Sequence, residues 1–250
     1  MSFQLTSEQK AAKKSFNTYV QESIIPFADD WDTEEFLPRQ TIKSLAKKGF
    51  LGAILPKKYG GKEMDPLTFG LLCESLGGGS ISVISLLTVH GMVSQALLRW
   101  GTERQKDVWL SKLASGSSIA AFALSEPNVG SDPKSVETVA EQQVDGSFLL
   151  SGKKKWISAG QVADLYLVVA QCNDAPTAFL LERSTPGLTV RPIKGLYGFR
   201  SAMLAELTLE NCKVDASDIV GKIGLGFSYV ASTALDHGRY CVAWACVGLA

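Results

Sequence analysis

The segment Phe122-Ala-Leu-Ser-Glu-Pro-Asn-Val-Gly-Ser-Asp132 holds hydroxyl, amide and glycine groups in an arrangement able to bind an anion. It leaves a predicted strand at Leu124, turns at Glu126-Pro127, and sets Asn128, Gly130 and Ser131 in a loop. Glycine permits close backbone approach, and consecutive N–H groups beside a hydroxyl make a nest suited to a phosphate. The same residues also suit an ordinary polar loop between strands. Downstream, Lys153-Lys-Lys-Trp-Ile-Ser-Ala-Gly160 places Trp156 and Ser158 two residues apart. On a strand that spacing sends an aromatic face and a hydroxyl to one side of the sheet, a pairing that suits a flat heteroaromatic ring. Read plainly, the lysines are a solvated strand end and Trp156 is a core aromatic. In Leu235-Asp-His-Gly-Arg239, Asp236 and Arg239 stand at i, i+3, the spacing of an ion pair on a helix face.

Other chemistries lack their residues. Two histidines, His90 and His237, supply little imidazole for a metal, and no metal site is expected. The five cysteines (Cys73, Cys172, Cys212, Cys241 and Cys246) are odd in number and form no C-x-x-C pair, which predicts buried free thiols in a reducing compartment. Gly221-Lys-Ile-Gly-Leu-Gly226 is not G-x-G-x-x-G and follows no βαβ unit, so a dinucleotide fingerprint is rejected. G-x-S-x-G and the P-loop pattern are absent, leaving serine-hydrolase and P-loop chemistry without an anchor. Twenty-five basic against twenty-five acidic residues argue against nucleic acid or an anionic membrane as the main partner.

These segments need elements to hold them, and 250 residues at 46% hydrophobic and 20% charged can bury a core of one large or two small domains. The first part reads as helical. Thr6 or Ser7 caps a run through Phe16, Tyr19 and Val20 with Pro26 near its end; Pro38 opens a helix stopped by Gly49. A third helix begins near Pro66, an uncharged one runs from about Ser80 to Trp100, and Thr102-Glu-Arg-Gln starts another. The charge-free stretch Ser75 to Leu98 is long enough to cross a bilayer. Its glycines, five serines, Thr88, His90 and Gln95 make it a buried core helix instead.

From about Ile119 the pattern changes to seven short β-rich runs in roughly 95 residues, with Asp145-Gly146 as a hairpin turn. They predict a compact antiparallel barrel or sandwich. Helical spacing returns after Val220-Gly221, and the last helix carries no stop signal, so the expectation is that these residues are the front part of a longer protein. The start shows no export or transit signal, and a cytoplasmic location is expected.

The order of Phe122–Asp132, then Lys155-Trp156-Ile157-Ser158, then Leu235-Asp-His-Gly-Arg239, set within helix, β and helix, resembles the acyl-CoA dehydrogenase family of flavoproteins. The resemblance covers essentially the whole chain, including Leu5-Thr-Ser-Glu-Gln9, Lys58-Tyr-Gly-Gly61 and Trp100-Gly-Thr-Glu-Arg-Gln-Lys106. It implies an α+β multidomain protein: a helical N-terminal domain at 1–117, a middle β domain at 118–220, and the first helix of a C-terminal bundle at 221–250. FAD would lie against the middle domain, with Phe122, Leu124, Ser125, Gly130 and Ser131 and then Trp156, Ile157 and Ser158 as contacts. Phe122 stands where relatives commonly have tyrosine, with one hydroxyl fewer. Ser131, Asp236 and Arg239 would contact the substrate, and Ile84, Ser85 and Thr88 would close the acyl pocket.

The implied reaction removes two hydrogens from the carbons α and β to an acyl thioester carried by CoA or an acyl carrier protein, in fatty-acid or polyketide metabolism. Electron-transfer flavoprotein or oxygen would take the electrons, and a homodimer or homotetramer is expected. In most relatives the base is a glutamate in the later C-terminal region, where it is expected here as well, and a minority place it just before the arginine of the last motif. Here that residue is Gly238, so no catalytic base is expected within residues 1–250. An oxidase or flavin-dependent oxygenase on the same scaffold, or a flavin-binding paralogue without catalysis, are the alternative readings.

Overall fold

The computed structural model describes residues 4–250. Helix α1 (Ser7–Ser23) begins with a reciprocal cap: the Thr6 hydroxyl accepts the Gln9 N–H, and the Gln9 side chain accepts the Thr6 N–H. It stops before Pro26, which lies in the first turn of a separate helix, α2 (Ile25–Glu34). The expected single helix is therefore two, because proline lacks the N–H that a helix interior needs but not the one a first turn needs. Helix α3 (Arg39–Lys47) buries Ile42 and Leu45. Asp65 caps α4 (Pro66–Gly79), Ser80 caps α5 (Ile81–Trp100), and Thr102 with Gln105 forms a second reciprocal cap on α6 (Glu103–Ser115).

Helix α5 is long and apolar enough to cross a membrane, yet 78% of its most apolar window is buried inside the molecule. His90 on α5 is fully buried and ties layers together: its Nδ1 accepts the Ala120 N–H at 3.2 Å and its Nε2 faces the Leu113 carbonyl at 3.1 Å. Those two bonds fix the neutral Nε2–H tautomer, and burial pushes the imidazole pKa down to about 4.

Eight strands follow: β1 (Ala120–Ala123), β2 (Val139–Gln142), β3 (Phe148–Ile157), β4 (Leu165–Cys172), β5 (Ala175–Glu182), β6 (Leu188–Pro192), β7 (Ala205–Val214) and β8 (Ile219–Val220). Their order is β6-β7-β3-β2-β4-β5-β8, with β1 also on β4. Asp145-Gly146 turns between β2 and β3 as expected, Gly146 taking φ 82°. The sheet is not wholly antiparallel, because β1 and β2 both run parallel to β4. The cause lies at Asp164, whose carboxylate accepts the Ile119 N–H at 2.8 Å and whose own N–H donates to the Ile119 carbonyl at 2.7 Å. With their starts side by side, β1 and β4 can only run together. Strand β8 had no sequence signal, being two residues long.

After a π-helical turn at Gly226–Ala231, α7 (Ser232–Leu249) lies between α4 and α5. Glycines permit the approach: a Cβ at Gly77 would stand 2.6 Å from the Ala245 Cα. Of the five free cysteines four are buried; Cys246 is exposed on α7, against the expectation that all would be buried.

Candidate functional site

Strands β1 and β2 lie end to end along one edge of β4. β1 pairs through Ala123 with Val168, and β2 begins at Val139 opposite Gln171. The loop of residues 124–138 leaves the edge between them, which would strand the carbonyls of Leu124 and Val169 without ladder partners. Lys154 of β3 fills the break. Its ammonium donates to Leu124 O at 3.2 Å, Val169 O at 2.5 Å and Glu126 Oε1 at 2.6 Å. Glu126 in turn accepts the N–H groups of Glu137 at 2.5 Å and Thr138 at 3.0 Å, and the Thr138 hydroxyl at 2.6 Å.

Both charged side chains are essentially sealed, with 0% of Lys154 and 1% of Glu126 exposed. Burial pushes the Lys154 pKa down to about 8 against the opposing Glu126 charge. Burial also works to raise Glu126, but the Lys154 charge and the hydrogen bonds outweigh it and hold the carboxyl below its ordinary value. The pair clamps both ends of the loop that carries Asn128, Gly130 and Ser131. Glu126 bonds backbone N–H groups as its place beside Pro127 suggests, whereas the solvated-strand reading of the lysines fails at Lys154. In the structure Phe148, Leu150 and Lys154 share the buried face at period two.

The second segment joins the first directly, since the Lys155 N–H donates to the Ser125 carbonyl at 2.9 Å. Trp156 does not sit on a regular strand with Ser158. The pairing with β7 shifts between Lys154 and Ile157, Trp156 takes φ 63°, and Ser158 lies past the strand in a turn. The expected same-side alternation is thus replaced by a bulge, which turns the indole out to 50% exposure. Lys155 Nζ lies 5.0 Å from its ring centroid. A bulky residue at positive φ is an outlier that its surroundings must enforce.

Ile157 is 2% exposed and packs in the sheet core, so only its backbone is available to a ligand. Phe122 and Leu124, each 7% exposed, pack between helices and sheet and offer only an edge. Ser125 and Ser158 are half-buried, and Gly130 and Ser131 are exposed. Among the described residues, the hydroxyls of Ser125, Ser131 and Ser158 and the N–H groups of Gly130 and Ser131 have no protein partner. Nothing lies within 4 Å of where a Gly130 Cβ would be. The joined segments therefore present unused donors, an open glycine and a projecting indole. That set fits a ligand with a phosphate and a flat ring.

On α7, Asp236 and Arg239 form the i, i+3 ion pair at 3.2 Å, with both side chains about three-quarters exposed at 74% and 73%. Gly238 is buried, a Cβ there standing 3.0 Å from Met92 Sδ. Ile84, Ser85 and Thr88 are all buried on α5, and the Thr88 hydroxyl donates to the Ile84 carbonyl at 2.8 Å. No described group of three or more His, Cys, Asp or Glu side chains could hold a metal ion.

Comparison with known proteins identifies the two domains and the fold. Residues 6–117 match the model "Acyl-CoA dehydrogenase, N-terminal domain" and residues 121–212 match "Acyl-CoA dehydrogenase, middle domain". The chain is 32% identical to the acryloyl-CoA reductase (NADH) of Anaerotignum propionicum, over 100% of this chain and 65% of that protein. It is also 32% identical to the short-chain-specific acyl-CoA dehydrogenase of Megasphaera elsdenii, over 100% of this chain and 67% of that one. A glutaryl-CoA dehydrogenase from Mycobacterium smegmatis, solved in complex with FADH2, superposes with a TM-score of 0.92 at 30% identity, covering 98% of this chain and 62% of the other. The chain thus spans about two thirds of the length of these relatives. By its two matched domains, its fold and its identity to these enzymes, the chain belongs to the acyl-CoA dehydrogenase family.

Proposed function

We propose that the protein carrying this chain is an FAD-dependent enzyme acting on the bond between the α and β carbons of an acyl thioester. The observation that carries the reading is the junction of the two motif segments through the Lys155 N–H and Ser125 carbonyl. It sets the Trp156 face and the free hydroxyls of Ser125 and Ser158 beside the loop whose Gly130 and Ser131 N–H groups are unused. Trp156 would cover the flavin ring, Ser125 and Ser158 would bond its polar edge, and Ser131 would hold the pyrophosphate. When bound, FAD supplies a two-electron acceptor. The chain's own part is to orient the ring and keep the loop closed through Lys154 and Glu126. Asp236 and Arg239, paired and exposed on α7, would meet the thioester carrier.

No carboxylate among residues 1–250 is proposed as the base: Glu126 is sealed and fully bonded, Asp236 is paired with Arg239, and residue 238 is glycine. The relatives named above are described as acting on CoA thioesters, which supports CoA over an acyl carrier protein. One of them is named a reductase, so the partner that exchanges electrons sets the direction. Electron-transfer flavoprotein as acceptor, a homo-oligomeric assembly and a cytoplasmic location complete the proposal.

The test begins with visible absorbance. The protein should purify yellow or take up FAD on reconstitution, and a panel of acyl-CoA thioesters should bleach it anaerobically. Replacing Trp156 and Ser158 together by alanine removes one stacking contact and one hydrogen bond, about 1–3 kcal/mol or about 5- to 150-fold in FAD Kd. A folded protein that stays colourless with FAD, or a double variant that binds FAD as tightly as the parent, would refute the assignment.

A further inference from the structure

Tyr166 is wholly buried on β4, between Ala121 of β1 and Leu181 of β5, in a strand otherwise apolar from Leu165 to Ala170. Its phenol donates to the Gly160 carbonyl at 2.8 Å and accepts from Arg183 Nη1 at 3.0 Å. Arg183, the residue after β5, turns that same nitrogen toward the carbonyls of Gly160 and Ala163, each at 3.3 Å, and its backbone N–H donates to the Asp164 carbonyl at 2.8 Å. Both side chains therefore close on one turn, residues 158–163, which follows the bulge at Trp156.

Ala159, Gly160 and Ala163 of this turn are buried, and a buried turn must find partners for its backbone within the protein. On the N–H side they come from the loop after β6, where the Ala202 and Met203 carbonyls accept the Ala159 and Gln161 N–H groups at 3.0 and 3.2 Å. On the carbonyl side they are Tyr166 and Arg183. Gly160 leaves the turn no room to settle inward: a Cβ there would stand 2.7 Å from the Ile157 carbonyl oxygen and 2.8 Å from Ala205 Cβ. Burial pushes the Tyr166 pKa up to about 12, so the phenol keeps its proton and stays a donor.

The two groups that this stretch presents to a ligand are not held by their own side chains. Among the described residues neither the Ser158 hydroxyl nor the Trp156 indole N–H has a protein partner, so the main chain alone aims them. Upstream, the Lys155 N–H on the Ser125 carbonyl fixes that main chain; downstream, the turn does. We propose that Tyr166, together with Arg183, is a positioning residue of the flavin-ring site. By holding the Gly160 and Ala163 carbonyls it fixes the turn from which Ser158 and Trp156 reach the ring, and, being sealed, it does so without touching the ligand. A role of this kind rests on the FAD reading of the site and adds to it two residues of β4 and the end of β5 that neither motif segment contains.

Tyr166→Phe removes one oxygen and keeps the ring in the core. Two readings are taken on the full protein well below its melting temperature: amide hydrogen exchange of residues 159–163 without FAD, and FAD Kd from quenching of flavin fluorescence. Exchange should quicken severalfold and Kd should rise about 3- to 10-fold, the worth of one hydrogen bond's preorganisation. Arg183→Met should act alike, and the double variant should exceed the larger single by no more than about twofold, because the two side chains hold the same carbonyls. Ile42→Ala, in the core of α3 and away from the turn, should lower the melting temperature yet leave both readings at parental values. Should Tyr166→Phe not fold, Arg183→Met, at an exposed residue, carries the test. A parent that takes up no FAD refutes the flavin reading and this role with it. A parent that binds FAD beside variants that bind it equally well overturns the role alone, as does an Ile42→Ala protein whose Kd rises as much as that of Tyr166→Phe.

Discussion

Replacing Lys154 by methionine keeps most of the side-chain volume but removes the ammonium that plugs the break between β1 and β2. The Glu126 carboxylate would then be buried without its counter-charge, and the carbonyls of Leu124 and Val169 would lose the donor at 3.2 and 2.5 Å. Removing one partner of a sealed pair costs about 3–5 kcal/mol, because the other charge stays behind. Glu126→Gln should cost less, about 1–3 kcal/mol. The amide still accepts a bond from the Glu137–Thr138 backbone, and Lys154, with a pKa of about 8, can shed its proton at modest cost.

The double variant, Glu126→Gln with Lys154→Met, buries no charge at all and should fall short of the sum of the singles by about 1–3 kcal/mol. Urea unfolding with a common m-value reads these differences, and Lys154→Met should also lower the melting temperature by about 6–20 °C. FAD affinity should weaken in Lys154→Met while the fold persists below its melting point, since the loop that carries Gly130 and Ser131 loses its clamp. A cost below about 1 kcal/mol for Lys154→Met, or strict additivity of the two changes, would show that the pair is not the closed unit described.

Acid should weaken the protein in two stages. His90 keeps a pKa of about 4 against an ordinary 6.5, so the unfolded chain takes up its proton first; stability falls as pH drops from 6.5 toward 4, by about 3 kcal/mol. Urea midpoints at pH 7 and 5 should show a drop that His90→Gln reduces, and equal slopes would refute this. The Glu126 contribution is fully present above its ordinary 4.5 and is lost as pH falls through its lower folded value, a loss that Glu126→Gln should remove. Gly77→Ala should destabilise by about 1–3 kcal/mol through its clash with the Ala245 backbone, whereas Gly130→Ala, with nothing within 4 Å, should stay within about 0.5 kcal/mol. Thermal melts of the two alanine variants compare them, and similar melting temperatures would overturn the packing argument.

Helix starts were legible because capping is local chemistry. Thr6 with Gln9, Thr102 with Gln105 and the proline at 66 act within one turn of their own positions, whereas Pro26 reads from the sequence as the end of one helix and not as the start of the next. Strand positions were legible from composition, and Asp145-Gly146 from turn geometry, but strand direction was not. The parallel pairing of β1 with β4 is decided by Asp164 meeting Ile119, residues 45 apart, and no local pattern encodes that meeting. Trp156 and Ser158 were found as residue types, while their presentation depends on a bulge that shifts the register against β7. Lys154 was hidden by its neighbours: in a row of three lysines the one on the buried face looks like the rest until its partner Glu126, 28 residues away, is known.

Several departures from regular structure lie where the two motif segments join. A lysine is sealed in the sheet, a tryptophan takes φ 63°, and Ala159 and Met203 beside it take φ 55° and 57°. The turn after β3 is stitched to residues 202 and 203 by the Ala159 N–H on the Ala202 carbonyl at 3.0 Å and the Gln161 N–H on the Met203 carbonyl at 3.2 Å. Each departure costs of order 1–3 kcal/mol, and a sheet built only for stability would replace the sealed pair with apolar side chains and keep Trp156 in register. What the arrangement secures instead is geometric: β1 can leave the edge of β4 without stranding its carbonyls, so a loop of unused donors opens beside an indole turned out of the sheet. A strained tryptophan and a sealed charge pair beside one loop, with the ladder between β4 and β5 regular, are what a ligand site demands of a fold that must otherwise hold itself together.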